Sequence, residues 1–136
     1  MSKYYNQNYT KEEIISILNT IKSCVKKGRY IFSLNKNRLE NQIFINEYNL
    51  FDEKRKSIIL RIEPEDFCHS LRNTKKGYQH ETLYVFVPQI ELLTVEDKKE
   101  TVDIYTKFNI LHSLSGEKVI VISFHKCNKP VAYLFR

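Results

Sequence analysis

The chain has 136 residues, 42% hydrophobic and 28% charged, with nine Tyr and eight Phe, which excludes a disordered tail and predicts one domain around a single core. Its 22 Lys and Arg against 16 Asp and Glu leave a net charge of +6, a bias toward an anionic partner. Three Cys (Cys24, Cys68, Cys127) without close spacing exclude a disulfide framework and predict reduced thiols.

Residues 1–9 are polar and expected to be ordered only near the helix that follows. They lack a signal-peptide core, and no apolar run is long enough to cross a bilayer, so a cytoplasmic protein without a membrane partner is predicted. Thr10 to Glu13 reads as a capping box, followed by Ile14, Ile15, Leu18, Ile21 and Val25 at helical spacing. Lys26 and Lys27 suit the end of that helix and Gly28 suits the residue after it. Arg29 to Leu34 reads as a short extended piece. Asn35 or Asn37 is placed to cap a second helix carrying Leu39, Ile43 and Phe44. A charged turn over Asp52–Lys56 and a strand over Ser57–Ile62 follow. Glu63-Pro64-Glu65-Asp66 then reads as a helix start, with Phe67 and Leu71 on the buried face of a third helix and Cys68 a buried thiol within it. Arg72 to Glu81 is a polar loop. Leu83 to Leu93 is β-rich, broken by Pro88. Lys118–His125 and Val131–Phe135 are the last predicted strands.

Between them lies Thr101–Ile110, whose alternation is the clearest in the chain. Val102, Ile104, Thr106, Phe108 and Ile110 point one way; Asp103, Tyr105, Lys107 and Asn109 point the other. One face is built for a core, and the other lines a phenol and an ammonium along a polar row. Alternation likewise puts Val121, Ser123 and His125 on one side of the next strand. Consecutive strands with short links pair antiparallel. The expected fold is α+β: an antiparallel sheet of four to five strands with two to three helices packed on one face, the polar row looking out from the other.

A solvated sheet face accounts for such a row equally well. Its residue types, however, are those that metal-free RNA cleavage needs. A base takes the 2′-hydroxyl proton, a cation holds the phosphate, and an acid protonates the leaving 5′-oxygen. Tyr105 suits the acid, Lys107 the cation or base, and His69, His80 and His125 either proton-transfer role. Arg72, Lys75 and Lys76 form a basic cluster able to follow a phosphate backbone, with Gln79 nearby and Asn109 further along the polar row. His112 reads as a solvated loop residue. Cys68-His69 and His125-x-Cys127 offer four ligands, but adjacent residues seldom both turn inward, so no metal site is expected. No Gly-rich phosphate loop or other cofactor motif occurs, and no cofactor is predicted.

Asp66-Phe67-x-x-Ser70, Ile104-Tyr105-Thr106-Lys107-Phe108 and Val119-Ile120-Val121-Ile122-Ser123-Phe124 resemble, in that order, the MqsR-type toxins of bacterial toxin–antitoxin systems. The resemblance covers roughly residues 10–126. It implies a RelE-like toxin fold and an endoribonuclease, an mRNA interferase that cuts RNA without metal and leaves a 2′,3′-cyclic phosphate or 3′-phosphate. The family's catalytic Tyr matches Tyr105, and its Lys two residues after the Asp-Phe pair falls on His69. Gln79 is nearest to the family's Gln, without matching its spacing. The implied partners are mRNA and a cognate antitoxin protein. A rival expectation from the His69 replacement is a non-catalytic binding protein on the same fold, such as a phage or mobile-element inhibitor of a host nucleic-acid-handling complex. A plain RNA-binding module ranks behind both, because the sheet carries no RNP-like aromatic motif.

Overall fold

The capping box at Thr10 starts the first helix where the sequence places it. In the computed structural model, which describes residues 5–34 and 38–136, helix α1 runs Lys11–Lys26. Thr10 Oγ1 accepts from the Glu13 amide at 3.1 Å, and Glu13 Oε1 accepts from the Thr10 amide at 2.8 Å. Gly28, at φ +73°, takes the left-handed turn that lets the Arg29 amide donate back to the Cys24 carbonyl at 2.8 Å. Ile14, Leu18, Ile21 and Val25 form the buried stripe of α1.

Beyond it the chain forms β1 (Tyr5–Asn6, ahead of α1), β2 (Tyr30–Phe32), α2 (Leu39–Glu47), α3 (Asp52–Leu60), a 3-10 turn (Pro64–Asp66) and β3 (Phe67–Arg72). Strands β4 (Thr82–Phe86), β5 (Gln89–Leu93), β6 (Lys99–Ser113) and β7 (Gly116–Lys126) complete it. The class is α+β as expected, but among the described residues the sheet has seven strands, ordered β1-β3-β4-β6-β7-β2 with β5 also on β6. All pairs are antiparallel except β2 on β7. The extra strands come from short segments at sheet edges. Tyr5 and Asn6 pair with Leu71 and Ser70, so part of the N-terminal stretch is tied to the sheet. β4 and β5 lie on one edge of β6, divided at Pro88, whose carbonyl still accepts from the Ile104 amide at 2.9 Å. β6 and β7 extend through residues 111–117, which the sequence predicts as a loop, to a tight turn at Leu114-Ser115, so His112 stands on β6 and not in a loop.

Four expectations need correction. Asp52–Leu60 is a helix, not a charged turn and strand. Asp52 and Glu53 occupy its first turn, and Ile58, Ile59 and Ile62 are buried, a one-four spacing that a strand would split between faces. Burial of an Ile contributes roughly 2 kcal/mol, against the few tenths that a β-branched residue loses in a helix. The predicted third helix is one 3-10 turn followed by strand β3, so Cys68 is a strand thiol. The Asp66 carbonyl accepts from the Val87 amide at 2.9 Å, which commits it to the sheet rather than to a further helical turn. Residues 131–135 form no strand. They belong to an irregular strap, 127–136, whose Leu134 amide donates to the Phe67 carbonyl at 3.1 Å. The proposed caps Asn35 and Asn37 lie outside the described residues. The α2 N-cap is Arg38, without a side-chain capping bond.

The main core lies between the helices and one sheet face. Phe67, Phe86, Phe108 and Phe124 come from four successive strands and meet Ile14, Ile21, Ile58 and Ile59. On the opposite face a small cluster of Cys68, Val85 and Val87 is covered by Val131 and Tyr133 of the strap. Leu134 and Phe135 belong to the main core, so the strap passes from one face of the sheet to the other. It is tied down by Tyr133 Oη donating to the Val87 carbonyl at 2.8 Å and by Arg136 on Asp66 at 2.8 Å.

The fourth correction concerns strand phase. The pairing runs Lys107 with Ser123, then Phe108 with Val121, so Ile122 is an extra residue in β7. Val119 and Val121 therefore face the core, while Ser123 and His125 face the other side, not the same side as Val121. Asn41, 1% exposed on α2, supplies what the interrupted ladder lacks. Its Nδ2 donates to the Ile122 carbonyl at 3.0 Å and the Ser33 carbonyl at 2.9 Å, and its Oδ1 accepts from the Phe124 amide at 2.9 Å. Replacing Asn41 by Leu, similar in volume, leaves these buried backbone groups without partners. The expected loss is about 2–4 kcal/mol of unfolding free energy, read by urea denaturation. A loss below about 0.5 kcal/mol, the range of an ordinary surface substitution, would contradict this role.

Candidate active site

The phase shift in β7 brings Ser123 and His125 onto the polar row of β6. Tyr105 stands opposite His125, and Lys107 lies between Ser123 on β7 and Val85 on β4. Val85 in turn pairs with His69 on β3. A row of facing positions thus runs across four strands and ends in one concave cleft of about 430 Å³. The sheet forms its floor, Arg38 and Glu40 at the start of α2 form one wall, and Asn128 to Ala132 of the strap form another. Tyr5 and Gln7 stand beside His69.

Two aromatic pairs order the floor. The Tyr105 and His125 rings stack with centroids 5.3 Å apart and planes 15° apart. Those of Tyr5 and His69 stack at 4.2 Å and 12°. His125 Nδ1 lies 2.9 Å from the Lys126 carbonyl, which only accepts, so Nδ1 is the donor in that contact. Glu40 Oε2 approaches the same Nδ1 at 3.8 Å and accepts from Asn128 Nδ2 at 3.2 Å.

Burial pushes the Tyr105 hydroxyl up to about 12, so at neutral pH it is a protonated phenol that can donate and cannot serve as a base. Lys107 lies below the ordinary lysine range, through burial and then through the positive charges of Arg38 and Lys129. Its ammonium is 5.9 Å from the centre of the Tyr105 ring. His69 is held below the ordinary imidazole value, first by burial and then by Lys107. Among the described residues its Nε2 is buried without a hydrogen-bond partner, a cost to folding at this position. The chemistry available is a neutral imidazole that can accept a proton, a phenol that can give one, and cations able to hold an anion between them.

Tyr105, Lys107, His69 and His125 therefore share one cleft. His80 does not; it lies with Glu81 and Asn109 along a separate shallow groove on the β3–β4 loop side. Asn109 is buried and donates from Nδ2 to Glu81 Oε1 at 3.0 Å, which removes it from the exposed row. Lys75, Lys76 and Gln79 are exposed on that loop, and Arg72 is exposed at the end of β3. The pairing of Thr82 with Arg72 and of Val85 with Lys107 puts the loop base three residues from the cleft floor, roughly 10 Å along the strand. Sequence reasoning missed Arg38, Glu40, Lys129 and Tyr5, which sit on segments without periodicity and reach the cleft only through the packing of α2, the strap and β1. Ser123 was visible in the strand, but its face depended on the bulge.

Burial pushes the Cys68 thiol up to about 12, so it stays protonated. Among the described residues no group of three or more His, Cys, Asp or Glu is placed to hold a metal ion, and no helix is long and apolar enough to cross a membrane. Comparison of the chain with protein-family models, with curated proteins and with solved structures finds no match.

His69 gives a stability test with a defined sign. Its folded value lies below the ordinary 6.5, so the unfolded chain takes up the proton first as pH falls. Stability from this group is full above that value and is lost as pH drops through it toward the folded value. His69→Phe keeps a ring against Tyr5 and removes the orphaned nitrogen. The variant is expected to match or exceed wild-type stability at pH 7 and to lose less between pH 7 and pH 5, measured by denaturant unfolding at each pH. A parallel pH dependence in both proteins would show that His69 does not carry it.

Proposed function

We propose that the cleft cuts RNA without metal, as an endoribonuclease toxin of a type II toxin–antitoxin system on a RelE-like fold of the MqsR type. The observation that carries the reading is the convergence of Tyr105, Lys107, His69 and His125 on one cationic cleft, on the sheet face away from the helices. A phosphodiester seated at Lys107 would have the neutral His69 imidazole as a candidate base for the 2′-hydroxyl. The Tyr105 phenol, or His125, would serve as acid for the 5′-oxygen. Lys107, Arg38 and Lys129 would oppose the charge that builds on the phosphorane. Attack of the 2′-oxygen on phosphorus breaks the bond to the 5′-oxygen and leaves a 2′,3′-cyclic phosphate. Arg72, Lys75 and Lys76 would guide the strand beyond the cleft.

A second reading keeps the fold and drops the chemistry: a binding protein that blocks a host nucleic-acid-handling complex. It is favoured by Leu39 and Ile43, 59% and 56% exposed and one turn apart on the helix that walls the cleft, a surface suited to a protein. The same surface suits a cognate antitoxin under the first reading.

Purified protein incubated with RNA in EDTA is expected to give fragments ending in 2′,3′-cyclic phosphate or 3′-phosphate. Tyr105→Phe, which keeps the stacked ring, is expected to lower the rate at least tenfold, about 1.4 kcal/mol, with unfolding unchanged. Lys107→Ala is expected to lower it further than Lys75→Ala and Lys76→Ala together. Intact RNA under these conditions, with growth unaffected on expression, would favour the binding protein.

A further inference from the structure

We infer that the cleft is a receptor for a terminal phosphomonoester dianion, held among Lys107, Arg38 and Lys129, and that it holds such an end in preference to the phosphodiester within a chain. The inference rests on the proposed function for the polymer concerned, not for the binding itself. Under that reading, once water attacks phosphorus of the cyclic product and breaks its bond to the 2′-oxygen, which takes up a proton, the resulting 3′-phosphate fragment would remain bound and inhibit the site.

The charge count carries the argument. Among the described residues, three cationic side chains line the cleft against one carboxylate, Glu40, which already accepts from Asn128 and lies beside His125. The charges acting on Lys107 are those of Arg38 and Lys129, both repulsive. A phosphodiester brings one negative charge to this arrangement. A phosphomonoester brings nearly two once its second proton leaves, near pH 6. The ligand that relieves more of the mutual repulsion gains more from binding, and in a partly buried site that gain is weakly screened. Arg38 also begins α2, a nine-residue helix without a side-chain cap, which adds the positive end of its backbone dipoles to the same wall.

Shape points the same way. A cleft of about 430 Å³ is at the small end of ligand pockets, roughly 300–1,000 Å³, and suits one nucleotide rather than a run of them. The strap walls one side and is held by Gln7 Nε2 donating to the Ala132 carbonyl at 3.3 Å and by Arg136 on Asp66. A chain end fills a walled cleft with one phosphate and one sugar. An internal linkage must also route the chain out on both sides.

The test compares two ligands that are not cut: uridine 3′-monophosphate, and a uridine dinucleotide with a 2′-deoxy group at the attacking position. Affinities are measured by calorimetry at pH 5 and pH 7.5. The monophosphate is expected to bind at least tenfold more tightly at pH 7.5, to lose most of that advantage at pH 5, and to be displaced by inorganic phosphate. Lys129→Ala is expected to reduce the advantage severalfold. Equal affinities at pH 7.5, or binding of neither ligand, would overturn the inference. Cleavage of RNA by a protein that binds both ligands equally would overturn it and leave the proposed activity standing. A monophosphate preference in a protein that cuts no RNA would support the inference and remove the activity.

Discussion

One carboxamide sets which way the end of β7 faces. A strand that alternates without interruption would carry Val121, Ser123 and His125 on one side, and either the valine or the imidazole would be misplaced. The extra residue at Ile122 resolves this, at the cost of a broken ladder beneath the buried side of α2. Asn41 removes most of that cost by donating to the Ile122 carbonyl and accepting from the Phe124 amide. The same helix carries Arg38 and Glu40 to the cleft wall, so the contact that stabilises the bulge also positions charged groups against the residues the bulge exposes.

The cleft is built against its own stability. Lys107 is partly buried and repelled by two other cations of the same cleft, and among the described residues the Nε2 atom of His69 is buried without a partner. Each would be improved, for folding alone, by an apolar or neutral side chain. The main core compensates amply, with four phenylalanines from successive strands against the isoleucines of α1 and α3. Uncompensated charge and a ring nitrogen without a described partner gathered in one concavity are features that folding alone does not favour.

The strap adds a constraint of a different kind. Its apolar residues divide between the two faces of the sheet, Val131 and Tyr133 on one and Leu134 and Phe135 on the other, so it cannot lift as a free tail. Tyr133, under the Arg136 guanidinium at 3.8 Å, and the bond of Arg136 to Asp66 hold it at the turn that leads into β3. One wall of the cleft therefore depends on the same turn that places His69.

Much of this was legible along the chain. The capping box, Gly28, the break at Pro88 and the alternation of Thr101–Ile110 depend on neighbours a few residues away, and sequence shows them directly. The face shared by Tyr105 and Lys107 follows from that alternation alone. Other features were misread for a common reason. Ser57–Leu60 has strand-forming residues but is helical because its isoleucines meet α1, and Phe67–Leu71 is a strand because β4 claims its backbone. The gathering of His69, Arg38 and Lys129 around Lys107, and the side of the sheet on which His125 stands, were decided only by tertiary structure. They depend on a bulge, a helix edge and a strap whose partners lie from 46 to 125 residues away in sequence. Periodicity records which way a side chain points within its own element; it carries no record of which distant element will supply its neighbour.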